Sequence, residues 1–367
     1  MKKNQVLVAM SGGVDSSIAA HLLCQEGYDC KGVMLKLHDA PIACEKNCRT
    51  CCSLDDSEDA RRIAASLGFD FFALNYKEVF EERVINRFIS EYLAGRTPNP
   101  CIDCNRFIKF GALLNRLGEY DCRFLATGHY ARIAKQGERY ILKKAVDAAK
   151  DQSYVLYSLT QEQLAKTLFP LGELTKKEVR QIAAECDFVN KDKPDSQDIC
   201  FVSDGDYGKF IKNHHGRPGS SAPTMEGNFL DVNGNVLGEH DGAYNFTIGQ
   251  RKGIGISFDR PMYVQRIEGN NVVLCENDGL FSDRLIASEV NLMAMDRIDK
   301  PIKCEVKIRY NAKAEPAIIE QISEGEIGVR FKNAQRAITP GQIAVFYDGD
   351  VVLGGGIISG YSKESRH

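Results

Sequence analysis

The sequence predicts an α/β fold on a parallel sheet, followed by a small central domain and a C-terminal β-barrel. Strand-like and helix-like runs alternate over the first two hundred residues. Residues 205–277 are rich in Gly, His and Asn with only short strand signals, and the pattern from 278 onward is β. Alternation of the first kind puts helical crossovers on both faces of a parallel sheet. Domains are accordingly expected at 1–204, 205–277 and 278–367.

"QVLVAM" (5–10) reads as a buried strand ending in a glycine turn, and the helix after it carries Ile18, Ala19, Leu22 and Leu23 on one side. "KGVMLKL" (31–37) is a second strand. "DDSEDARRIAASLG" (55–68) is a helix with acids in its first turn and Gly68 as its stop. "FFAL" (71–74) and "RFLATGH" (123–129) are the next strands, with a long helix over 78–94 between them. Residues 105–118 carry a further helix pattern. In "PIKCEVKIRY" (301–310), Ile302, Cys304, Val306, Ile308 and Tyr310 alternate with Lys303, Glu305, Lys307 and Arg309. That period of two buries one face and sets three cations on the other. "VFYDGDVVLGG" reads as a hairpin around Asp348-Gly349, and strands of this kind suit a small closed barrel.

The 367 residues hold 43% hydrophobic and 26% charged residues, the composition of an ordinary globular protein. No apolar run approaches the ~20 residues that span a bilayer, so no membrane partner is expected. The start "MKKNQVLVAM" lacks the long apolar stretch of a secretory signal, which makes a cytoplasmic location the expectation. Thirteen cysteines is many for a reducing compartment and an odd number, so some of them are expected to do chemistry or bind metal. The net charge of -3 implies no general attraction to nucleic acid, although such an average can hide local patches.

"AMSGGVDSS" (9–17) lies between a buried strand and a helix, where open α/β sheets bind ligands. Gly12 and Gly13 let the chain turn its amides toward one point. Ser11, Ser16 and Ser17 add hydroxyls, and the helix start adds a positive dipole end, which together make an anion site. The loop has neither the Lys of a Walker A motif nor a G-x-G-x-x-G spacing, so transfer of a γ-phosphate is not the expected chemistry.

"NPCIDCN" (99–105) sets Cys101 and Cys104 three positions apart, ahead of a helix pattern whose dipole, with Arg106 and Lys109, would lower a thiol pKa. Taken alone, the pair could be a metal clip, a redox couple, a sulfur-handling nucleophile with a companion, or part of a turn. Cys200 sits in the polar stretch "DSQDICF" (195–201), flanked by Asp195 and Asp198, an unusual place for a cysteine chosen for packing. Cys24, Cys30, Cys122, Cys186, Cys275 and Cys304 lie in apolar or helical contexts and are expected in the core. "CEKNCRTCC" supplies Cys44, Cys48, Cys51 and Cys52, which read equally as exposed thiols or as a structural zinc site.

"SGGVDSS" after a strand resembles the PP-loop of the ATP pyrophosphatases (the adenine nucleotide alpha hydrolase-like fold), which split ATP between its α and β phosphates. "GRTPNP" with "CN", "ATGHYARI" (126–133), "KDQSYVLYSL" (150–159), "DSQDICFV" (195–202) and "NFTIGQRKGIGI" (245–256) join it in order. The set resembles the tRNA-specific 2-thiouridylases over nearly the whole chain. That resemblance implies a sulfurtransferase that adenylates the wobble uridine of tRNA with ATP and Mg2+, then replaces O2 with sulfur from a persulfide, giving AMP and pyrophosphate. It implies catalytic roles for Cys104 and for Cys200, the persulfide carrier, with a disulfide between them as the end state. It implies ATP contacts at Ala9, Met10, Ser11, Gly12, Gly13, Val14, Asp15 and Ser16, with Leu35 and Gly128 toward the adenosine. Asn99, Pro100 and Cys101 fall where the target base is held. His129, Lys150, Asp151, Gln152, Arg309, Tyr310 and Gln342 fall on tRNA contacts. The partners implied are tRNA and a sulfur donor, either a persulfide carrier or a cysteine desulfurase system.

The chain departs from many relatives in having Cys101 where they have aspartate. Three thiols, Cys101, Cys104 and Cys200, would suit a 4Fe-4S cluster with one open iron, so a persulfide relay and a cluster both stand as readings. A histidine such as His129 at a strand end is ordinarily a satisfied structural group, and only the motif gives it a tRNA role. Arg309 stands on the cationic strand face, suited to phosphate. Arg251, Lys252, Arg260 and Arg266 cluster among glycines in 246–266, either a solvated face or a tRNA-phosphate surface. No RNA-recognition motif such as an RRM is present. Two other classes remain: a PP-loop ligase acting on a small molecule, which would not need Cys104 and Cys200, and a non-catalytic RNA- or metal-binding relative, which would bind ATP without releasing pyrophosphate.

Overall fold

The computed structural model describes residues 4–38, 54–195, 199–202, 205–215 and 226–362. Cys44, Cys48, Cys51 and Cys52, and with them the zinc reading, lie outside the described residues, as does Asp198. The chain divides into two compact units, one of residues 1–85, 100–203 and 350–352, the other of residues 86–99, 204–349 and 353–367.

The first unit is the expected parallel α/β layer. β1 (Gln5–Ala9) is a run of apolar residues whose Val6, Leu7 and Val8 are fully buried, as a strand covered on both faces requires. It pairs in parallel with β2 (Asp29–Lys36) on one side and with Phe124–Thr127 on the other. Phe71–Asn75 extends the sheet beyond β2 and Thr167–Leu168 closes the far edge. The chain therefore builds outward from β1 in one direction and then crosses to the other side, which makes the carboxyl end of β1 the switch point of the sheet. Helix α1 (Val14–Gln25) buries Val14, Ile18, Ala19 and Leu23 in a core shared with Ala60, Ile63 and Ala64 of α2 (Leu54–Ser66).

The helix expected over 78–94 is one α-turn at Lys77–Phe80, a π-helical turn at Glu81–Ile85 and an α-helix at Asn86–Leu93. The run at 105–118 differs in the same way. Helical residues begin at Pro100, pass into a π-helix over Cys104–Leu113 and end as a 3-10 helix over Leu114–Tyr120. Proline is well suited to a first helical position, so the helix starts four residues before Cys104. Cys101, rather than Cys104, sits in its first turn.

Lys176–Glu185 is an α-helix opened by a capping box. Thr175 Oγ1 accepts from the Glu178 amide at 3.3 Å, and Glu178 Oε2 accepts from the Thr175 amide at 2.7 Å. Thr175→Ala should destabilise the fold by about 1 kcal/mol, read as a lower urea midpoint at unchanged slope.

In the second unit, a four-stranded sheet in the order Tyr263–Glu268, Asn271–Cys275, Gly227–Leu230, Val236–His240 packs Phe229, Val264, Val272 and Leu274 against Phe246 and Ile254. The C-terminal strands close a six-stranded barrel: Phe281–Leu292, Glu326–Arg336, Glu315–Ser323, Ile302–Lys307, Ile343–Asp348 and Val351–Ser362, the last pairing back onto the first. Closure leaves these six strands no open edge. The alternation in 301–310 ends early. The strand stops at Lys307, Val306 and Ile308 are buried, and Tyr310 is exposed in the following turn under the Lys307 ammonium. The hairpin turn falls on Gly349-Asp350, one residue later than expected, with Gly349 at φ +59°. Of the cysteines expected in the core, Cys30, Cys122 and Cys275 are buried and Cys24, Cys186 and Cys304 half-buried.

Candidate active site at the glycine loop

Ala9 ends β1 and Val14 begins α1, so Met10 to Gly13 form the whole connection. Gly12 has φ +76°, open to glycine at little cost. Gly13 is the N-cap of α1 and has an extended backbone, and no side chain caps the helix end. A first turn left without a side-chain cap, at the switch point of a parallel sheet, is a place for an anion. The serines stiffen the turn. Ser16 Oγ donates to Gly13 O at 3.0 Å and accepts from the Ser11 amide at 3.2 Å, and Ser17 Oγ donates to Gly13 O at 3.0 Å. Gly128 follows Phe124–Thr127 and lies against the same turn. A Cβ there would meet the Asp15 carbonyl carbon and the Ser16 nitrogen at 2.8 Å. Leu35, expected near the adenosine, is buried in β2.

Around this loop the fold assembles charges that no local spacing announced. Lys176 Nζ donates to both Asp15 oxygens, at 2.8 and 2.9 Å, and reaches Asp195 Oδ1 at 2.7 Å. Asp195 Oδ1 also accepts from Arg180 at 2.9 Å, and its Oδ2 from Lys150 at 2.8 Å. Partial burial pushes the Asp195 carboxyl up, but the Lys150 and Lys176 ammoniums outweigh it and bring the group down to about 2. Tyr130 OH donates to Asp15 Oδ1 at 2.8 Å, and burial together with the Asp15 carboxylate raises that phenol. Behind the loop, Asn190 Nδ2 donates to Gly12 O at 2.9 Å and to Ser17 Oγ at 3.0 Å. Lys193 bridges Gly12 O, Asp56 and Asp59. Burial would lower the Lys193 ammonium, yet Asp56 and Asp59 raise it.

Cys101 is exposed, and Cys104 and Cys200 are half-buried. Cys104 stands where the α-turn gives way to the π-helix. Its neighbour Asn105 is buried and donates from Nδ2 to Val155 O at 3.1 Å. Cys200 lies in a turn closed by Val202 N to Ile199 O at 3.0 Å, and Phe201 packs edge-on against Phe80 with ring centroids 5.7 Å apart. Among the described residues no group of three or more His, Cys, Asp or Glu side chains could hold a metal ion. Cys101, Cys104 and Cys200 therefore do not form the three-thiolate set that the cluster reading needs.

Of the residues expected at the target base, Asn99 is half-buried and Pro100 is buried. The expected tRNA contacts separate into several kinds. His129 is buried, shares a 2.7 Å hydrogen bond with Thr127 Oγ1 and packs against both the Phe110 and Phe169 rings. The side chain is thus held by its own neighbours within the first unit. Asp151 accepts from the Ala145 and Ser153 amides and the Ser153 hydroxyl, and Gln152 Oε1 accepts from the Tyr130 amide, so both side chains hold their own loop. Lys150 is tied to Asp195. Arg309 donates to Arg336 O at 2.8 Å, and Gln342 donates to Thr97 O at 2.8 Å in the segment ahead of Asn99.

Burial, with the Lys109 charge adding to it, holds the His129 imidazole well below its ordinary 6.5. A group whose folded pKa is depressed contributes stability that is full above the unfolded value and is lost as pH falls from there through the folded one. The urea midpoint should thus fall progressively as the pH drops below about 6.5, and His129→Gln should remove part of that drop.

Sequence reading missed Lys176, Asn190, Lys193 and Tyr130. "TKKE" at 175–178 marks the capping box and so puts Lys176 at a helix start, but nothing local pairs it with Asp15.

Comparison with known proteins identifies the family of the chain. A family model described as a tRNA methyl transferase HUP domain matches residues 4–204, its PRC-barrel domain matches 219–276, and an aminomethyltransferase β-barrel domain matches 282–358. Among curated relatives, the tRNA-specific 2-thiouridylase MnmA of Clostridioides difficile is 50% identical over 360 residues, covering 96% of this chain and 98% of the relative. MnmA 1 of a Thermoanaerobacter species is 48% identical over 362 residues, covering 97% and 98%. The Acetivibrio thermocellus protein is 47% identical over 363, covering 98% and 100%. The domain descriptions and the relatives' names differ on the group transferred, and near 50% identity across the full chain outweighs a domain label. No helix among the described residues is long and apolar enough to cross a membrane. This chain is a member of the tRNA-specific 2-thiouridylase family.

Proposed function

We propose that the protein uses ATP to thiolate tRNA, replacing O2 of the wobble uridine by sulfur carried as a persulfide on Cys200. The observation that carries the reading is the uncapped start of α1 behind Gly12 and Gly13, in a chain that also holds Cys104 and Cys200.

ATP enters with Mg2+, its phosphates on the first-turn amides of α1. Uracil O2 attacks the α-phosphorus, the bond to the β-phosphate breaks, and pyrophosphate leaves. The adenylated oxygen is then a good leaving group. The terminal persulfide sulfur of Cys200 attacks C2, the C–O bond breaks and AMP departs, leaving the base joined to Cys200 through a disulfide. The Cys104 thiolate attacks Cys200 Sγ and expels 2-thiouridine. A disulfide between Cys104 and Cys200 remains, to be reduced by an external thiol before the donor reloads Cys200. The donor is a persulfide carrier or a cysteine desulfurase system. Asn99 and Pro100 flank the target base, and Lys150, Arg309, Tyr310 and Gln342 make tRNA contacts. Cys101 stands beside the reaction as a third thiol. The cluster version is not adopted, because its three thiols are not grouped as metal ligands. A ligase acting on a small molecule would leave Cys104 and Cys200 without a task.

The test is anaerobic purification with iron and sulfide quantified, then ATP-dependent tRNA thiolation by wild type, Cys101→Ala, Cys104→Ala and Cys200→Ala. Thiolation without bound iron supports the persulfide route. Thiolation that needs stoichiometric iron, or that survives loss of both Cys104 and Cys200, rejects it.

A further inference from the structure

The carbonyl groups on either side of Gly13 are held from behind the glycine loop by a single side chain. Asn190 is 2% exposed and stands in the turn that follows the helix Lys176–Glu185. Its Nδ2 donates to Gly12 O at 2.9 Å and to Ser17 Oγ at 3.0 Å. Ser17 Oγ uses its one proton on Gly13 O at 3.0 Å, so toward Asn190 it can only accept. Gly12 O is likewise an acceptor only. The amide therefore has one orientation, with nitrogen toward the loop and Oδ1 away from it. Among the described residues that buried Oδ1 has no hydrogen-bond partner, an arrangement that costs stability. The turn carrying Asn190 is itself fixed. Lys191 N donates to Phe188 O and Lys193 N to Asn190 O, both at 3.0 Å, and Arg180 donates to Lys191 O at 2.9 Å. Lys193 adds a longer contact to Gly12 O at 3.4 Å.

We propose that Asn190 is a positioning residue that aims the Gly13 and Val14 amides at the phosphates of the nucleotide. The inference rests on the reading of the glycine loop as the phosphate seat. Both peptide bonds are trans, and in a trans peptide the N–H points opposite to the C=O. Gly12 O drawn toward Asn190 turns the Gly13 N–H away from it. Gly13 O, held by Ser17 Oγ, does the same for the Val14 N–H, and Ser17 Oγ is set in turn by Asn190. The two N–H bonds of one amide group thus fix two successive peptide planes. The loop needs that restraint, because Gly12 and Gly13 lack the Cβ that would limit rotation. Amides already fixed give a phosphate charge-assisted hydrogen bonds without reorganising when it arrives. The unpartnered Oδ1 is the stability cost of presenting the nitrogen to Gly12.

The experiment compares wild type, Asn190→Leu and Gly12→Ala by calorimetry, with dissociation constants measured for α,β-methylene ATP with Mg2+ and for adenosine. Leucine is close to asparagine in size, adds no charge and has no donor. Asn190→Leu should bind the ATP analogue about tenfold more weakly, the scale of losing a well-aimed hydrogen bond to a charged group. Adenosine, which has no phosphate, should bind as it does to wild type. A side chain that only stabilised the fold would not separate the two ligands. If Asn190→Leu does not fold, Asn190→Ala takes its place and must show the same selective loss. Unchanged affinity for the analogue, or equal weakening of analogue and adenosine, overturns the proposal. Gly12→Ala tells the two readings apart. Analogue binding weakened by Gly12→Ala but not by the Asn190 variant defeats the positioning role alone. Analogue binding that survives Gly12→Ala shows that the phosphates sit elsewhere, and it defeats the reading of the loop and this inference with it.

Discussion

Gly12→Ala is expected to abolish ATP-dependent turnover while leaving the C-terminal barrel folded. The residue sits at φ +76°, where an L-side chain costs about 1 to 2 kcal/mol. A larger obstacle is the space. The added Cβ would run into the Asp56 carbonyl oxygen and lie 2.7 Å from the Asp56 Cα, both backbone atoms of α2 rather than the end of a movable side chain. Asp56 cannot retreat freely, because its carboxylate and that of Asp59 are held by Lys193, which also reaches Gly12 O. The loop must therefore yield, and with it the aim of the first-turn amides. Misplacement of a binding group by about 1 Å costs about 100-fold in rate, so pyrophosphate release in the presence of tRNA should fall by at least that factor. Gly128→Ala attacks the same turn from the other side, through the Asp15 and Ser16 backbone, and should behave alike. Nucleotide affinity and pyrophosphate release measure both, with circular dichroism as the fold control. A Gly12→Ala protein that turns over at the wild-type rate would show that this loop is not the nucleotide site.

Cys200→Ala should separate activation from transfer. Without the thiol no persulfide forms, so no 2-thiouridine appears above background, yet the glycine loop, Asn190 and Lys193 are untouched and pyrophosphate is still released with tRNA present. Cys104→Ala should stop one step later, leaving tRNA joined to Cys200 through a disulfide because nothing attacks Cys200 Sγ. A reductant would release that adduct as free 2-thiouridine, and mass spectrometry of the protein would show the nucleic acid attached before reduction. Full thiolation by Cys200→Ala would end the persulfide mechanism. A Cys104→Ala protein with no adduct and no product would instead place the Cys104 step before transfer.

Much of this site was legible in the residues. A glycine turn after a buried strand is a local requirement, and "SGGVDSS" states it within seven positions. The alternation of Ile302, Cys304 and Val306 likewise reads out a strand, though not where it ends. Tyr310 continues the pattern in sequence but falls in a turn, since hydrogen bonding to the neighbouring strand stops at Lys307. The run at 105–118 is helical, as its spacing implies, but that spacing does not specify the start at Pro100 or the π-helical and 3-10 turns the chain adopts there.

By itself the sequence determined the parallel sheet, the closed barrel, the glycine turn ahead of α1 and the identity of the cysteines, because strand period, glycine conformation and thiol chemistry belong to single residues and short runs. Only the tertiary structure decided that Lys176 meets Asp15 and Asp195, that Asn190 and Lys193 support Gly12, and that His129 is buried. Those facts depend on which distant charges and rings the folded chain brings within a few ångströms. A charged side chain on a helix looks the same in sequence whether it faces water or a partner 161 residues away.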